Sequence, residues 1–301
     1  MYDKRMNDRL IDLNRRYQET VNSAQLIVDS KKRRYIHNLK KLDFAAIYKD
    51  LKYRRYAMEH FSTDGNAKET SIQKQKADGF KIAVYTCIVG AYDKVIEPVY
   101  AEPGIDYLIF TDQPVSEESV WKKIDITTDG EYGSISPMMM NRKIKILQND
   151  LLMQYDYTIY VDGNIEIVAA VSPWIERMRD KGLGIHFHMT RDCIYDEVMA
   201  AKHLKRIKGN QMNNQIADYR QQGFPEHFGL FENSIMVRDN RDNSMACLMK
   251  CWWDEMKSYP TRDQVSFPYA VWKNGYPKDK ILNLGNNIER NPMINRIGEH
   301  R

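Results

Sequence analysis

Long apolar runs, a secretory leader pattern and a cysteine framework are all missing from this chain of 301 residues. No stretch of eighteen or more apolar residues occurs, so the sequence predicts no membrane-spanning helix. The first residues lack the charged-then-apolar pattern of a secretory signal, and four scattered cysteines are too few for a disulfide framework. These absences predict a protein of a reducing compartment, either cytoplasmic or peripheral at the inner face of a membrane.

Proline and glycine are also absent from the first 60 residues, which favours helical structure there. Apolar residues such as Leu10, Leu13 and Tyr17 recur every three or four positions, and a basic cluster follows at 31–34. We predict a helical segment over residues 1–61. Its role stays open between self-association, docking onto the main domain, contact with an anionic membrane surface, and a plain solvated appendage.

A polar stretch without periodicity predicts a linker over residues 62–80, which places the main domain at 81–301. Residues 1–80 hold 18 Lys and Arg against 11 Asp and Glu, whereas the remainder holds 27 against 30. Domains that bind nucleic acid present a basic face. The slightly acidic balance after residue 80 therefore predicts no nucleic-acid partner for the main domain.

Beyond residue 80, short runs of β-branched and aromatic residues alternate with stretches of helical spacing. The runs predict strands at 82–89, 106–110, 157–161, 184–188 and 234–237. The helical spacing predicts helices at 138–155, 194–221 and 242–257. This alternation is typical of an α/β fold with a mostly parallel sheet covered by helices.

Polar residues follow several of the predicted strands. The run 157–161 ends in Asp162, Gly163 and Asn164, and two earlier strands lead to Thr86 with its following turn and to Asp112. Because open α/β sheets bind ligands beyond the carboxyl ends of their strands, we expect these residues to converge. Their oxygens suit Mg²⁺ or Mn²⁺ holding a diphosphate, and the glycine would let a ligand approach the backbone. An ordinary strand-ending turn is the alternative.

Basic residues open the predicted helix that precedes this strand. Arg142 and Lys145 are three positions apart and hence share one helix face, with Lys143 beside them. Such cations would neutralise a diphosphate and support its departure as a leaving group. The alternative is a solvated helix face, since charged residues mostly lie in water.

Nine segments occur in a fixed order along residues 82–272, at 85–93, 110–112, 142–145, 160–165, 191–197, 211–212 with Tyr219, 229–232, 252–255 and 262–267. This series closely resembles a glycosyltransferase-like family long catalogued as a domain of unknown function. The family includes plant Golgi proteins linked to cell-wall pectin and bacterial proteins of capsule or surface-polysaccharide clusters. The N-terminal helical segment lies outside the resemblance.

The resemblance implies a GT-A fold, in which a Rossmann-like sheet binds a nucleotide sugar beside an Asp-x-Asp-type metal motif. Asp162, Gly163 and Asn164 would take the place of that motif. Asn164 departs from the usual second acid, and its carboxamide should weaken the affinity for Mn²⁺ or Mg²⁺. His300 is the candidate for a third metal ligand.

The same resemblance implies roles for other residues. The donor would be bound by Tyr85, Thr86, Tyr92, Asp112, Arg142, Lys143, Lys145, Asp162 and Gly163. The sugar or acceptor pocket would be lined by Arg191, Asp196, Glu197, Gln211 and Gln264. Asp162 and Asp263 would be catalytic, with Asp263 accepting the proton of an acceptor hydroxyl. The alternative for Asp263 is a helix N-terminus that Thr261 caps.

The function implied is that of a metal-dependent glycosyltransferase. It would move a sugar from a nucleoside-diphosphate sugar, foremost a UDP-sugar, to a hydroxyl of a cell-surface glycan or its lipid-linked precursor. Two alternatives stay open. One is a sugar nucleotidyltransferase, which the single glycine of the segment 89–93 disfavours. The other is a non-catalytic glycan-binding or scaffold protein with the same fold.

Overall fold

The computed structural model describes residue 11, residue 77 and the ranges 79–147, 150–203, 210–285 and 287–297. The predicted N-terminal helical segment, most of the predicted linker and His300 lie outside the described residues. None of the described helices is both long and apolar enough to cross a bilayer.

Within these ranges the strands are β1 (Ile82–Ile88), β2 (Asp106–Thr111), β3 (Lys122–Asp125), β4 (Tyr157–Val161), β5 (Ile165–Ile167), β6 (Leu183–Phe187), β7 (Phe231–Asp239), β8 (Ile281–Asn283) and β9 (Ile294–Arg296). The α-helices of the same ranges are α1 (Pro137–Leu147), α2 (Ser172–Met178), α3 (Ile194–His203), α4 (Gln211–Gln221), α5 (Asn243–Ser258) and α6 (Asp263–Asn274). Short 3₁₀ helices lie at Ile126–Thr128, Asp150–Gln154, Lys278–Lys280 and Ile288–Arg290.

Seven strands form one sheet in the order β3-β2-β1-β4-β7-β6-β8, and β5 pairs with β9 in a second, two-stranded sheet. Neighbouring strands of the large sheet are parallel except at β7, which runs antiparallel to both β4 and β6. The predicted α/β fold, a mostly parallel sheet flanked by helices, is confirmed. Since β7 runs backwards, its first residues lie at the edge where β1, β2, β4 and β6 end.

Both faces of the large sheet are buried. Tyr85 and Cys87 of β1 belong to a core that packs against α1, α5 and α6, whereas Val84 and Ile88 belong to a core beneath α2 and the small sheet. A strand covered on both faces has a nearly continuous apolar sequence. This explains why the central strands could be located from the sequence.

Several predicted elements differ from the structure, and the helix predicted at 194–221 consists of the two helices α3 and α4. The helix predicted at 138–155 ends at Leu147, and a 3₁₀ helix at Asp150–Gln154 follows. Strand β3 was not predicted because its sequence, Lys-Lys-Ile-Asp, is polar and mostly exposed. Charged side chains are common on edge strands, where they hinder pairing with other chains. They also remove the apolar pattern by which a strand is recognised.

Candidate active site

The candidate site lies at the edge of the sheet where β4 ends. The backbone N–H of Asp162, the first residue after β4, donates to the carbonyl oxygen of Ser234 in β7 at 2.8 Å. The antiparallel strand therefore brings residues 231–234 beside the predicted metal motif. Strand β6 also ends at this edge, so that His188 follows close to the start of β7, its N–H donating to the oxygen of Leu230 at 2.9 Å.

Four charged side chains, Arg142, Lys145, Asp162 and Asp263, form a buried ion network at this edge. The Nζ of Lys145 lies 2.8 Å from Asp263 Oδ2 and 3.3 Å from Asp162 Oδ1. Arg142 Nε lies 3.5 Å from Asp263 Oδ2. Both cations come from α1, where their spacing places them on one face. The Lys145 side chain is only 1% exposed, so it is far from being an ordinary solvated cation.

The two carboxyl groups of the buried ion network are held ionised. Burial alone would raise the pKa of Asp162 and Asp263, but the charges of Lys145 and Arg142 outweigh it. The pKa of Asp162 is therefore lowered, and the pKa of Asp263 lies well below its usual range. So acidic a carboxylate is a weak proton acceptor at neutral pH. The geometry gives Asp263 the role of counter-ion to Lys145, and its role as a base stays a prediction.

Lys143 points away from the buried ion network. Its Nζ lies 2.7 Å from both Asp129 Oδ1 and Glu131 Oε2, in the loop before α1. The adjacent position in the helix thus carries a cation that pairs with a loop, whereas Arg142 and Lys145 pair with Asp263 on the neighbouring face. Of the three cations predicted to bind a diphosphate, Arg142 and Lys145 therefore lie beside Asp263, and Lys143 lies beside the loop.

Tyr85 supports the site from below. Its side chain is fully buried, and its hydroxyl donates to the backbone oxygen of Lys145 at 3.1 Å while accepting from Arg238 at 2.5 Å. These bonds fix the position of α1 instead of leaving Tyr85 to face a nucleoside, as the resemblance implied. Thr86 is buried as well, whereas Tyr92 is half exposed at the turn after β1.

Asp112 holds the turn that follows β1. Its carboxylate accepts from the N–H of Gly90 at 3.0 Å and from the Tyr132 hydroxyl at 3.1 Å. Gly90 has a φ of +68°, and a Cβ there would come within 3.1 Å of Pro137 at the start of α1. Asp112 therefore fixes the loop nearest to the start of α1, and its predicted contact with the donor stays a prediction.

Gly163 packs closely against the end of β1 and the loop that follows it. A Cβ at this position would lie 3.0 Å from Asp93 Oδ2 and 3.0 Å from Ile88 Cγ1. The absence of a side chain is thus required by the loop after β1, which occupies the space that we expected a ligand to approach.

Gly163→Ala is therefore expected to lower the free energy of unfolding by about 1–3 kcal/mol, because the new methyl group forces the Asp93 loop outwards. Urea unfolding of the purified variant measures the change. The matched control is Gly130→Ala, since a Cβ at Gly130 meets no described residue within 4 Å. That control should be neutral or slightly more stable than the wild type. Equal stability of the two variants would contradict the packing argument.

Five polar residues, His188, Arg191, Glu197, Glu232 and Arg262, form an arginine–glutamate cluster next to the buried ion network. Glu197 accepts from Arg191 Nε at 2.8 Å and lies 3.3 Å from Arg262 NH1. His188 Nε2 lies 3.4 Å from Glu232 Oε1. Because Arg262 immediately precedes Asp263, the two groups of charges adjoin. This arrangement brings Arg191 and Glu197, both predicted for the sugar or acceptor pocket, to the edge of the site.

His188 is neutral in the arginine–glutamate cluster. Burial, with a smaller contribution from the charge of Arg191, lowers its pKa to about 3. Its Nδ1 accepts from the backbone N–H groups of Thr190 and Arg191 at 3.2 and 3.1 Å. Its Nε2 lies 3.0 Å from the Arg191 guanidinium and 3.4 Å from Glu232 Oε1, between a donor and an acceptor.

A model of the TOD1/MUCI70 glycosyltransferase-like domain matches residues 53–299. The chain belongs to this glycosyltransferase-like family. The resemblance inferred from the nine ordered segments is confirmed, and the match begins before the first of them. No curated protein matches the chain.

Three solved glycosyltransferase structures are similar to the chain. The apo structure of the bifunctional glycosyltransferase WbbM is 11% identical, with a TM-score of 0.42 over 74% of this chain and 47% of that one. The galactosyltransferase LgtC, in complex with donor and acceptor sugar analogues, is 12% identical, with a TM-score of 0.40 over 72% and 87%. GlyE of Streptococcus pneumoniae TIGR4 is 11% identical, with a TM-score of 0.37 over 68% and 45%. The chain spans less than half the length of WbbM and GlyE.

The other residues predicted for the sugar or acceptor pocket, Asp196, Gln211 and Gln264, lie in different surroundings. Gln264 is buried, and its Nε2 donates to the oxygen of Phe231 at 3.0 Å, which ties α6 to β7. Asp196 is buried in the first turn of α3, and Gln211 is exposed at the start of α4. Thr261 does not cap α6 as the alternative reading predicted, because its hydroxyl donates to Gln215 Oε1 at 2.6 Å. Asp263 does stand in the first turn of α6.

The C-terminal strand β9 passes close to the predicted metal motif. The N–H of Ile297 donates to the backbone oxygen of Asn164 at 2.9 Å. His300, the predicted third ligand, lies outside the described residues. Among the described residues alone, no three His, Cys, Asp or Glu side chains gather to hold a metal.

The donor set fits a divalent cation with reduced affinity. A carboxylate and a carboxamide are oxygen ligands of the kind that Mg²⁺ and Mn²⁺ accept. Both Lys145 and the Tyr160 hydroxyl contact Oδ1 of Asp162, at 3.3 and 2.9 Å. The Lys145 ammonium, so close to the Asp162 carboxylate, would compete electrostatically with a metal ion. The affinity for a metal would be lowered further because Asn164 lacks the negative charge of the usual second acid.

Sequence reasoning assigned no role to Glu232, which ends the segment 229–232, or to Arg262, which precedes Asp263. Strand β7 was predicted only at 234–237, and no local pattern shows that it begins at Phe231 and runs antiparallel. Without that direction, the sequence gives no reason to place Glu232 near Asp162.

Proposed function

We propose that this family member is a metal-dependent glycosyltransferase that uses a nucleoside-diphosphate sugar, foremost a UDP-sugar. The acceptor is a hydroxyl of a cell-surface polysaccharide or of its lipid-linked precursor. Membership of a glycosyltransferase-like family supports glycosyl transfer in general. The observation that carries the proposal is the convergence of Asp162, Arg142 and Lys145 where β4 ends. This is the edge at which α/β sheets bind nucleotides.

Charge complementarity supports a diphosphate ligand. Two cations and two carboxylates balance within the buried ion network, so a divalent cation at Asp162 would leave an excess of positive charge. That excess matches the diphosphate of a nucleotide sugar. Mn²⁺ or Mg²⁺, held by Asp162 and Asn164 with His300, would stabilise the charge that develops on the leaving diphosphate.

Arg142 is the residue of the buried ion network that is best placed to reach the diphosphate. Its side chain is 24% exposed, in contrast to that of Lys145, and its Nε makes no hydrogen bond to any described residue. A guanidinium binds phosphate oxygens through parallel N–H groups. In this proposal Arg142 contacts the leaving group, and Lys145 fixes the carboxylates of Asp162 and Asp263 beneath it.

Incubation of the purified protein with UDP-sugars and Mn²⁺ tests the proposal. We expect release of UDP, and calorimetric binding of UDP that weakens when EDTA removes the metal. Absence of UDP binding with and without Mn²⁺ would contradict the proposal. Release of pyrophosphate from UTP and a sugar 1-phosphate would instead identify a nucleotidyltransferase.

A further inference from the structure

Asn233 carries a buried carboxamide that makes no hydrogen bond to the described residues. Its side chain is buried, with the residue only 5% exposed, and neither Nδ2 nor Oδ1 has a hydrogen-bond partner among the described residues. Among the described residues, every other buried side chain has at most one polar atom without a hydrogen-bond partner. Unpaired buried groups are destabilising and rare in native proteins, so this one points to a partner outside the described residues.

The position of Asn233 relates it to the candidate active site. It directly precedes Ser234, whose backbone oxygen accepts from the N–H of Asp162. The pairing of β6 with β7 is irregular here, since Ile185 pairs with Met236 but His186 pairs with Glu232. Such bulges re-aim side chains and are frequent beside active sites.

Glu232, the residue before Asn233, is also poorly satisfied. Its side chain is 25% exposed, and its carboxylate lies 3.4 Å from Nε2 of the neutral His188. Burial raises its pKa, against the opposing charge of Arg296. Burial lowers the pKa of Arg296, but the hydrogen bond to Glu289 and the charges of Asp162 and Glu232 outweigh it. The Arg296 guanidinium donates to the hydroxyl of Ser234, the residue after Asn233, at 3.3 Å. Glu232 is therefore an incompletely hydrogen-bonded acid beside the proposed donor site.

We propose that Glu232 and Asn233 bind hydroxyl groups of the transferred sugar and determine which sugar is accepted. The inference rests on the proposed function, because it requires a sugar nucleotide at Asp162. A carboxamide donates through Nδ2 and accepts through Oδ1, which matches a hydroxyl that both donates and accepts. A carboxylate accepts from a second hydroxyl. A sugar without these hydroxyls leaves both side chains unpaired and is rejected.

The test compares UDP with UDP-glucose, UDP-galactose, UDP-xylose and UDP-glucuronate by calorimetry in the presence of Mn²⁺. In the wild type, we expect at least one sugar nucleotide to bind more tightly than UDP. Asn233→Leu and Glu232→Gln should keep the UDP affinity within about twofold and weaken that sugar nucleotide by about tenfold. Asn233→Leu removes a hydrogen bond, and Glu232→Gln removes the charge that strengthens one.

The melting temperature of the ligand-free protein provides a second readout. Asn233→Leu replaces an unpaired carboxamide by an apolar group of similar size, so we expect the melting temperature to rise. Asn291→Leu is the matched control, because the Asn291 carboxamide contacts His186 Nε2 at 2.8 Å and accepts from the N–H of Met293 at 2.9 Å. That control should melt at a lower temperature and keep the preference for the sugar nucleotide.

The outcomes separate the two proposals. UDP binding by the wild type together with unchanged sugar-nucleotide affinity in Asn233→Leu and Glu232→Gln overturns the inference alone. A lowered melting temperature of Asn233→Leu with unchanged sugar preference also overturns it, since Asn233 would then be structural. A wild type that binds neither UDP nor any of the four sugar nucleotides overturns the proposed function and this inference with it.

Discussion

Lys145→Met is expected to lower the free energy of unfolding by about 3–5 kcal/mol, the cost of removing one partner from a buried ion pair. The wild-type ammonium lies 2.8 Å from Asp263 and 3.3 Å from Asp162. Without it, two buried carboxylates face each other with Arg142 as the remaining nearby cation of the buried ion network. The mutual repulsion of these carboxylates, and the loss of the charge that compensated for their burial, should also weaken UDP binding. Urea unfolding followed by circular dichroism measures the stability, and calorimetry measures the binding.

Lys143→Met is the control for this prediction. It makes the same substitution in the same helix, but Lys143 is partly exposed and pairs with Asp129 and Glu131 in a loop. Surface pairs of this kind contribute about 0–1 kcal/mol. If both variants lost the same small amount of stability, the buried ion network would have no special role in holding the fold.

The end of β4 could be located from the sequence for a physical reason. A central strand buried on both faces must be apolar throughout, and the polar residues 162–164 interrupt that pattern sharply. The shared face of Arg142 and Lys145 could also be predicted, because helical spacing alone determines it. Local rules thus predicted one carboxylate and two cations of the buried ion network.

The rest of the site depends on contacts between distant parts of the chain. Asp263 meets Lys145 across 118 residues, and no local pattern indicates that pairing. Glu232 reaches the site because β7 is antiparallel, a direction that its short apolar run does not reveal. The family resemblance predicted a role for Tyr85 in this region, and the position of Lys143 beside Arg142 predicted one for Lys143. Only the packing shows that Lys143 faces the Asp129 loop and that Tyr85 lies beneath α1.

Asp162→Asn is expected to reduce the release of UDP from sugar nucleotides by about 10²- to 10³-fold, the usual cost of removing one group that stabilises developing charge. Asparagine keeps the size of the side chain and can still accept from the Tyr160 hydroxyl, but it loses the charge that would hold a metal. Stability should change less than in Lys145→Met, since Lys145 keeps its contact with Asp263 at 2.8 Å. A steady-state assay of UDP release and a calorimetric titration with Mn²⁺ measure the two effects.

Asp106→Asn is the matched control for that substitution. Asp106 begins β2 at the opposite edge of the sheet, where it accepts from Lys122 and from the Tyr155 hydroxyl at 2.8 Å. UDP release by this control should stay within about twofold of the wild type, because an exposed surface pair contributes little. If Asp162→Asn and Asp106→Asn released UDP at equal rates, the reaction could not take place where β4 ends. The buried ion network would then hold the fold together without serving catalysis.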